Sequence, residues 1–221
     1  MSLGSQELQA VYRRQAAWFA GERGRLLRKI DVARVRRVLD LGCGTCEILP
    51  ELDRRAAGAA VGLDCDPEVL RLGGGRRVCA RAERLPFGDG AFDLVIAQMF
   101  FMWAGAGEVL AEARRVLASG GYLLAAAEPD YGGAIEHPEE AAGLAELAAS
   151  LSAEGADVQV ARKLGGALER AGFEVSCGLH RCDPRGAARG EGGLAAPELT
   201  FAREDAEFLF VPYFWFLARR A

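Results

Sequence analysis

The most constraining stretch of this sequence is Arg37–Glu47, which reads RVLDLGCGTCE. A short apolar run that carries one acid, Asp40, precedes two glycines at alternate positions, Gly42 and Gly44, and a helix-like segment begins at Glu47. Glycine lets the backbone turn sharply and approach a ligand closely, because it has no Cβ. A strand, a glycine turn and a helix in this order predict the opening unit of an α/β nucleotide-binding fold.

Two classes of ligand would fit this turn. A dinucleotide favours a third glycine three residues after Gly44, with its phosphates on the N-terminus of the helix. That position holds Glu47, whose carboxylate would repel a pyrophosphate, and neither Thr45 nor Cys46 adds a positive charge. A nucleoside-like ligand without phosphates, which carries its own amino and sulfonium groups, suits this acidic rim better. The Asp40 carboxylate could hold the loop amides or meet the ligand ammonium.

The second predicted strand, Ala59–Asp64, also ends in an acid, 20 residues after Gly44. An acid at this place can accept two hydrogen bonds from ribose hydroxyls, and it would fit a dinucleotide equally well. Cys65 follows and is expected to lie against an adenine. Asp66 and Pro67 then predict the N-cap and the first position of a short helix.

More specific patterns follow in the middle of the chain. The stretch Arg81–Phe87 reads RAERLPF, a glycine turn follows it, and the strand predicted for Ala91–Gln98 reads AFDLVIAQ. The later run Glu112–Leu124 reads EARRVLASGGYLL, which predicts the end of a helix and the start of a fifth strand at Tyr122. Together with VLDLGCGT, these ordered motifs resemble those of class I S-adenosylmethionine-dependent methyltransferases over residues 35–130, similar to the ubiquinone/menaquinone-type small-molecule enzymes.

This resemblance implies both a fold and a cofactor. The implied α/β fold is a seven-stranded doubly wound Rossmann-like sheet, mostly parallel with an antiparallel last strand, with helices on both faces. The implied cofactor is S-adenosyl-L-methionine. The residues expected to bind it are Asp40, Gly42, Cys43, Gly44, Asp64, Cys65, Ala82, Glu83 and Gln98.

The sequence departs from the family pattern at two positions. Cys46 stands where the family often has a third glycine, and Arg81 stands where an aspartate usually accepts from the adenine amino group. Arginine has no acceptor, so the adenine must be recognised by Glu83, a backbone carbonyl, water, or nothing. We expect the Arg81 side chain to be exposed and paired with Glu83 or Asp64, since arginine is rarely buried without a partner.

The whole chain, 1–221, is predicted to form a single methyltransferase domain. Its expected parts are an N-terminal helix over the pocket at 6–30, a cofactor-binding core at 35–130, a helical insertion or lid at 131–163, and a C-terminal sheet half at 164–221. The N-terminal helix could turn Tyr12, Arg14 and Trp18 towards a ligand. The elements predicted after the fifth strand are helices at 138–151 and 159–171, a strand at 173–177, a surface loop at 180–197, a helical segment at 199–207 and a last strand at 208–217.

Transfer of a methyl group from a sulfonium is an in-line displacement, which mainly requires orientation and exclusion of water. An acceptor that carries a proton also needs a base, and Glu128 and His137 rank first as catalytic candidates. Two readings stay open: methyl transfer to an unidentified small-molecule acceptor, and a non-catalytic or regulatory protein that binds the cofactor on the same fold. A dehydrogenase that binds NAD is a distant third.

Composition excludes several other classes. The net charge of −4 and the isoelectric point near 5.4 argue against a general nucleic-acid binder. No apolar run reaches the length of a membrane span and no signal-peptide pattern begins the chain, so a cytoplasmic protein is expected. The expected oligomeric state is a monomer or a homodimer.

The six cysteines of such a protein are expected to be reduced. Cys43-x-x-Cys46 is interpreted as two small residues in the cofactor loop, and no metal site is predicted.

Overall fold

The computed structural model describes residues 4–137, 143–180 and 208–221 of the chain. The helices are Ser5–Trp18 (α1), Ala20–Lys29 (α2), Leu49–Arg55 (α3), Pro67–Leu72 (α4), Ala106–Val116 (α5), Leu144–Ala153 (α6) and Val160–Arg170 (α7). The strands are Arg37–Leu41 (β1), Ala59–Asp64 (β2), Arg77–Cys79 (β3), Phe92–Ala97 (β4), Leu117–Pro129 (β5), Ile135–His137 (β6), Phe173–Leu179 (β7), Phe208–Phe210 (β8) and Tyr213–Arg220 (β9).

Seven strands form one sheet in the order β3-β2-β1-β4-β5-β9-β7. Neighbours from β3 to β5 pair in parallel, whereas β9 lies antiparallel between β5 and β7. This confirms the predicted doubly wound sheet with an antiparallel last strand. The strand order reverses between β1 and β4, which places a crevice at the carboxyl ends of these strands. Strands β6 and β8 pair separately as a two-stranded antiparallel sheet.

Alternation along the central strands divides the core between the two faces of the sheet. In β1, Val38 packs with α2 and α3 on one face, and Leu39 and Leu41 pack with α5 and α7 on the other. All three side chains are fully buried. Helices therefore cover both faces, which leaves the carboxyl edge of the sheet as the place where polar residues of the loops can meet.

The predicted N-terminal helix is two helices, because the chain turns at Phe19. The backbone of Phe19 has φ −101° and ψ 5°. Phe19 is both the C-cap residue of α1 and the N-cap residue of α2. The Phe19 side chain is buried and contacts the Tyr213 ring, with centroids 4.9 Å apart. Burial of this ring stabilises the turn through contacts with a distant segment of the chain. None of the helices in the described ranges is both long and apolar enough to cross a membrane.

Other boundaries also differ from the sequence prediction. The last strand is split into β8 and β9 around Pro212, since proline cannot donate a ladder hydrogen bond. The fifth strand begins at Leu117 and not at Tyr122. Gly120, at φ +76°, was expected to end the preceding helix but lies within this strand. The predicted helix at 138–151 is described from Leu144 and continues to Ala153. The segments predicted at 181–197 and 199–207 lie outside the described residues.

Candidate functional site

A cavity of about 520 Å³ lies at the carboxyl ends of β1, β2 and β4, where the strand order reverses. Ligands of open α/β sheets bind in this crevice, and the volume is in the usual range for small-molecule sites. One of the residues expected at the cofactor, Gly44, lies in the loop after β1, and the Tyr12 ring packs against it. The expected residues that line the cavity directly are Asp40, Gly42, Cys43, Asp64, Cys65, Ala82, Glu83 and Gln98.

The loop after β1 is held in a conformation that needs its glycines. Gly42 and Gly44 have φ of +71° and +52°, a region that favours glycine. A Cβ on Gly42 would lie 2.3 Å from the Phe100 ring, and one on Gly44 would lie 2.4 Å from the Tyr12 ring. Two aromatic side chains therefore pack directly on the loop, and larger residues at either glycine would displace them.

The Asp64 carboxylate organises this loop from the end of β2. One oxygen accepts from the Gly44 amide at 2.9 Å, and the other accepts from the Asp66 amide at 3.0 Å. The Asp66 carboxylate in turn caps α4, as predicted, by accepting from the amides of Glu68 and Val69. An ionised carboxylate has about four acceptor positions, so Asp64 can hold the loop and still accept from a ligand hydroxyl.

Asp40 presents an unsatisfied acceptor beside the loop. Its side chain is 2% exposed, and its Oδ2 atom has no hydrogen-bond partner among the described residues. Burial raises the pKa of Asp40 well above its usual range, an effect that the nearby Arg23 guanidinium opposes. A buried acceptor without a partner is costly. An ammonium group of a ligand that enters the cavity would supply the missing donor, so this residue fits the amino group of the expected cofactor.

Arg23 on α2 is a buried residue of this region that the sequence did not reveal. Its guanidinium bonds the Glu51 carboxylate, the Gln98 side-chain oxygen at 2.6 Å, and the Ala16 carbonyl at 3.0 Å. The Gln98 amide then donates to the Gln15 carbonyl at 3.2 Å. The network joins α1 to the end of β4 and fixes Gln98 at the cavity wall. An arginine on an amphipathic helix is ordinarily exposed, so no local pattern indicates this role.

The opposite wall of the cavity is apolar. It is formed by the turn after β4, by one face of α1 and by two residues of the segment 131–163. The residues are Met99, Phe100, Met102 and Trp103 from the turn, Leu8 and Val11 from α1, and Tyr131 and Leu151 from the later segment. The turn is tied to its neighbours by backbone hydrogen bonds, from Met99 to the Ala127 carbonyl and from Asp157 to the Met102 carbonyl. This wall suits a ligand part with an apolar surface.

Neither expected catalytic residue is among the residues that line the cavity. Glu128 is fully buried beneath the turn after β4, and its two oxygens accept from the amides of Phe100 and Phe101, each at 3.1 Å. Burial raises the pKa of Glu128 to about 8 against the opposing effect of these amides. His137 is exposed on β6, where its backbone pairs with Phe208. The geometry gives Glu128 a structural role and brings His137 to another surface.

Arg81 behaves as its chemistry predicts. Its side chain is 75% exposed, and one guanidinium nitrogen lies 3.0 Å from a Glu83 carboxylate oxygen. The prediction of an exposed Arg81 paired with Glu83 is confirmed. This pair lies at the cavity rim, beside the end of β2 where the adenine is expected.

The sequence comparisons agree with this geometry. Residues 39–125 match the family described as "Methyltransferase domain". A demethylmenaquinone methyltransferase of Thermus thermophilus is 42% identical over 101 residues, which cover 40% of this chain and 46% of that protein. A malonyl-[acyl-carrier protein] O-methyltransferase of Coxiella burnetii is 33% identical over 104 residues, which cover 45% of this chain and 37% of that protein. The chain thus spans less than half the length of these two curated relatives.

The structural comparison concerns the fold alone. A SAM-dependent methyltransferase from Aquifex aeolicus superposes with a TM-score of 0.63 at 15% sequence identity, and the match covers 100% of both chains. The shared architecture therefore extends well beyond the region matched in sequence.

Proposed function

Since residues 39–125 match the methyltransferase-domain family, we propose that this chain binds S-adenosylmethionine in the cavity and transfers its methyl group to a small molecule. The observation that carries the proposal is the buried Asp40 Oδ2, which has no hydrogen-bond partner within the described part of the chain and lies beside the glycine loop whose Gly44 amide donates to Asp64. These residues offer acceptors for an ammonium and for ribose hydroxyls. The glycine loop offers no cation for a pyrophosphate, and Arg81 at the cavity rim is paired with Glu83, which disfavours a dinucleotide.

The described residues would position the cofactor and exclude water from the cavity. When bound, the cofactor supplies an activated methyl group on a sulfonium. Asp40 would hold the amino group, Asp64 the ribose, and the side chains of Tyr12 and Phe100 would close the site over the glycine loop. In-line displacement depends chiefly on such alignment. Burial raises the pKa values of Tyr12 and Tyr131. Both phenols therefore stay protonated at neutral pH, and neither is suited to act as a general base.

Two experiments distinguish catalysis from binding alone. Isothermal titration with S-adenosylmethionine should give saturable binding at one site, and a methyl-release assay on metabolite fractions should yield S-adenosylhomocysteine in proportion to added acceptor. Binding with no turnover on any fraction would favour the alternative, a regulatory protein that binds the cofactor on the same fold. Absence of binding would refute both readings.

Segment 131–163 is proposed to cover the acceptor end of the cavity. Tyr131 and Leu151 line the cavity, and the Tyr131 amide donates to the Val158 carbonyl at 2.9 Å. We expect limited proteolysis within 143–158 to slow several-fold when S-adenosylhomocysteine is bound, because the cover then packs on a filled cavity. Equal cleavage rates with and without the cofactor product would contradict a moving cover.

Replacement of Arg81 by aspartate is expected to strengthen cofactor binding by about 1 kcal/mol, the net contribution of one hydrogen bond to the adenine amino group. Arg81 can only donate and is turned to Glu83, so the native protein makes no such bond through this side chain. Titration calorimetry of Arg81→Asp against the native protein measures the change.

The matched control for Arg81 is a cofactor analogue with inosine in place of adenosine. The native protein should bind this analogue nearly as well as the natural cofactor, and Arg81→Asp should discriminate against it. Strong rejection of the analogue by the native protein would mean that another acceptor already recognises the amino group.

A further inference from the structure

The glycine loop contains two thiols in close proximity. Cys43 and Cys46 are both free and buried, and their sulfur atoms lie 3.6 Å apart. A turn brings them together, because the Cys46 amide donates to the Cys43 carbonyl at 2.8 Å. Cys46 has φ +63°, a left-handed conformation that is uncommon for a residue other than glycine. The loop therefore keeps a glycine-like backbone while it places a second sulfur atom beside the first.

The two thiols differ in their surroundings. Cys43 lines the cavity, and its sulfur packs on Gly62 of β2, where a Cβ would lie 2.6 Å from it. Cys46 lies behind it, towards Gly73. The hydrogen bond between the thiols lowers the pKa of Cys46 and raises that of Cys43, and the Arg77 guanidinium also lowers the pKa of Cys46. Cys46 is thus the better nucleophile of the pair.

We propose that Cys43 and Cys46 form a redox-active dithiol that a hydroperoxide oxidises to an intrachain disulfide, and that the oxidised loop binds the cofactor more weakly. The coupling to the cofactor rests on the proposed function, whereas the oxidation itself does not. Two further cysteines of the described residues, Cys79 and Cys177, are exposed and do not line the cavity, so they provide an internal reference for general thiol oxidation, whereas the exposed Cys65 lines the same cavity as Cys43.

The oxidation proceeds in two balanced steps. The Cys46 thiol loses its proton, and the thiolate attacks one oxygen of hydrogen peroxide; an S–O bond forms, the O–O bond breaks, and the hydroxide that leaves takes up that proton to become water. The Cys43 sulfur then attacks the Cys46 sulfenic sulfur; the S–S bond forms, the S–O bond breaks, and the Cys43 proton leaves with the hydroxyl group as a second water. Two thiols and one peroxide give one disulfide and two waters.

A disulfide would alter the loop that holds the cofactor. The sulfur atoms would move from 3.6 Å to about 2.05 Å apart, and Gly44, whose amide bonds Asp64, lies between them in the sequence. A loop drawn together in this way no longer presents Gly44 in the same position. Because coupling between two sites is reciprocal, a bound cofactor should also protect the dithiol from oxidation.

The experiment titrates the full chain with hydrogen peroxide, with and without S-adenosylhomocysteine, and maps free and linked thiols by mass spectrometry of peptides. We expect a Cys43–Cys46 link that forms before extensive oxidation of Cys79 and Cys177, and that forms more slowly when the ligand is bound. The dissociation constant for S-adenosylhomocysteine should rise at least tenfold after oxidation and return with dithiothreitol.

Cys46→Gly is the matched control, because glycine accepts φ +63° and the substitution removes the side chain that carries the second sulfur. Its affinity should not respond to peroxide. Free Cys43 and Cys46 at peroxide concentrations that oxidise the exposed cysteines would overturn the proposal, and so would a disulfide that leaves the affinity unchanged. If the reduced protein fails to bind the ligand at all, the proposed function fails, and the peptide map still decides whether the dithiol is redox-active.

Discussion

Replacement of Glu128 by alanine is expected to lower the free energy of unfolding by roughly 4 kcal/mol, because it leaves two buried backbone donors without acceptors. Glu128 is fully buried, and its oxygens accept from the amides of Phe100 and Phe101, each at 3.1 Å. Those amides belong to the turn that forms the apolar wall of the cavity. Urea denaturation at pH 5, near the acidic end of the range in which Glu128 contributes to stability, measures the change.

Glu128→Gln is the matched control, because it keeps the shape and volume of the side chain while it removes the carboxylate. Glutamine keeps the volume and one acceptor oxygen, but its NH₂ group replaces the second acceptor with a donor that faces a backbone N–H. We expect a loss of roughly half that of the alanine variant. A loss below about 1 kcal/mol for Glu128→Ala would contradict this role, since surface substitutions give effects of that size.

The same residue predicts a pH dependence of stability. Burial raises the pKa of Glu128 from 4.5 in the unfolded chain to about 8 in the folded protein. The folded state therefore binds this proton more tightly, so the contribution of Glu128 is fully present below pH 4.5 and is lost as the pH rises to about 8. The expected slope is up to about 1.4 kcal/mol per pH unit within this window.

Comparison with Glu128→Gln isolates this contribution. Burial lowers the pKa of His180, which adds stability as the pH rises, and burial raises the pKa of Asp40, which acts in the same direction as Glu128. Both contributions cancel in the difference between the two proteins. The stability advantage of the native protein should shrink between pH 5 and pH 8, and a difference that is constant or grows with pH would refute the assignment.

Replacement of Asp64 by alanine is expected to weaken S-adenosylmethionine binding roughly 100-fold, about 3 kcal/mol. The variant loses the proposed bonds to ribose, and it also loses the acceptor that holds the Gly44 amide at 2.9 Å. Titration calorimetry with the cofactor and with S-adenosylhomocysteine should give similar losses, because the ribose is common to both ligands.

Asp64→Asn separates the two contributions. Asparagine keeps one oxygen for the Gly44 amide but loses the charge and one acceptor, so we expect an intermediate affinity. Thermal denaturation of both variants tests whether the fold is retained. A dissociation constant within threefold of the native value for Asp64→Ala would place the ribose elsewhere in the cavity.

The sequence by itself determined the features that depend on short stretches of chain. The glycine turn follows from the φ values that only glycine adopts easily, and Gly42 and Gly44 have those values. The N-cap at Asp66 follows from an acceptor placed two residues before an unpaired amide. A short apolar run before the glycine turn indicated the first central strand, and the ordered motifs, through their resemblance to the methyltransferase family, indicated the doubly wound sheet. Each of these signals is local, so it can be read without knowledge of distant residues.

The tertiary structure decided where polar side chains are buried, because burial depends on what distant segments pack above them. Arg23 bonds Gln98 across 75 residues, and Glu128 accepts from Phe100 across 28 residues. No local pattern distinguishes either residue from an exposed charge. For the same reason Glu128, expected at the reacting atoms, lies beneath the cavity wall, while His137 faces another surface. Local chemistry fixes the elements and their turns, and long-range packing fixes which charged groups lose contact with water.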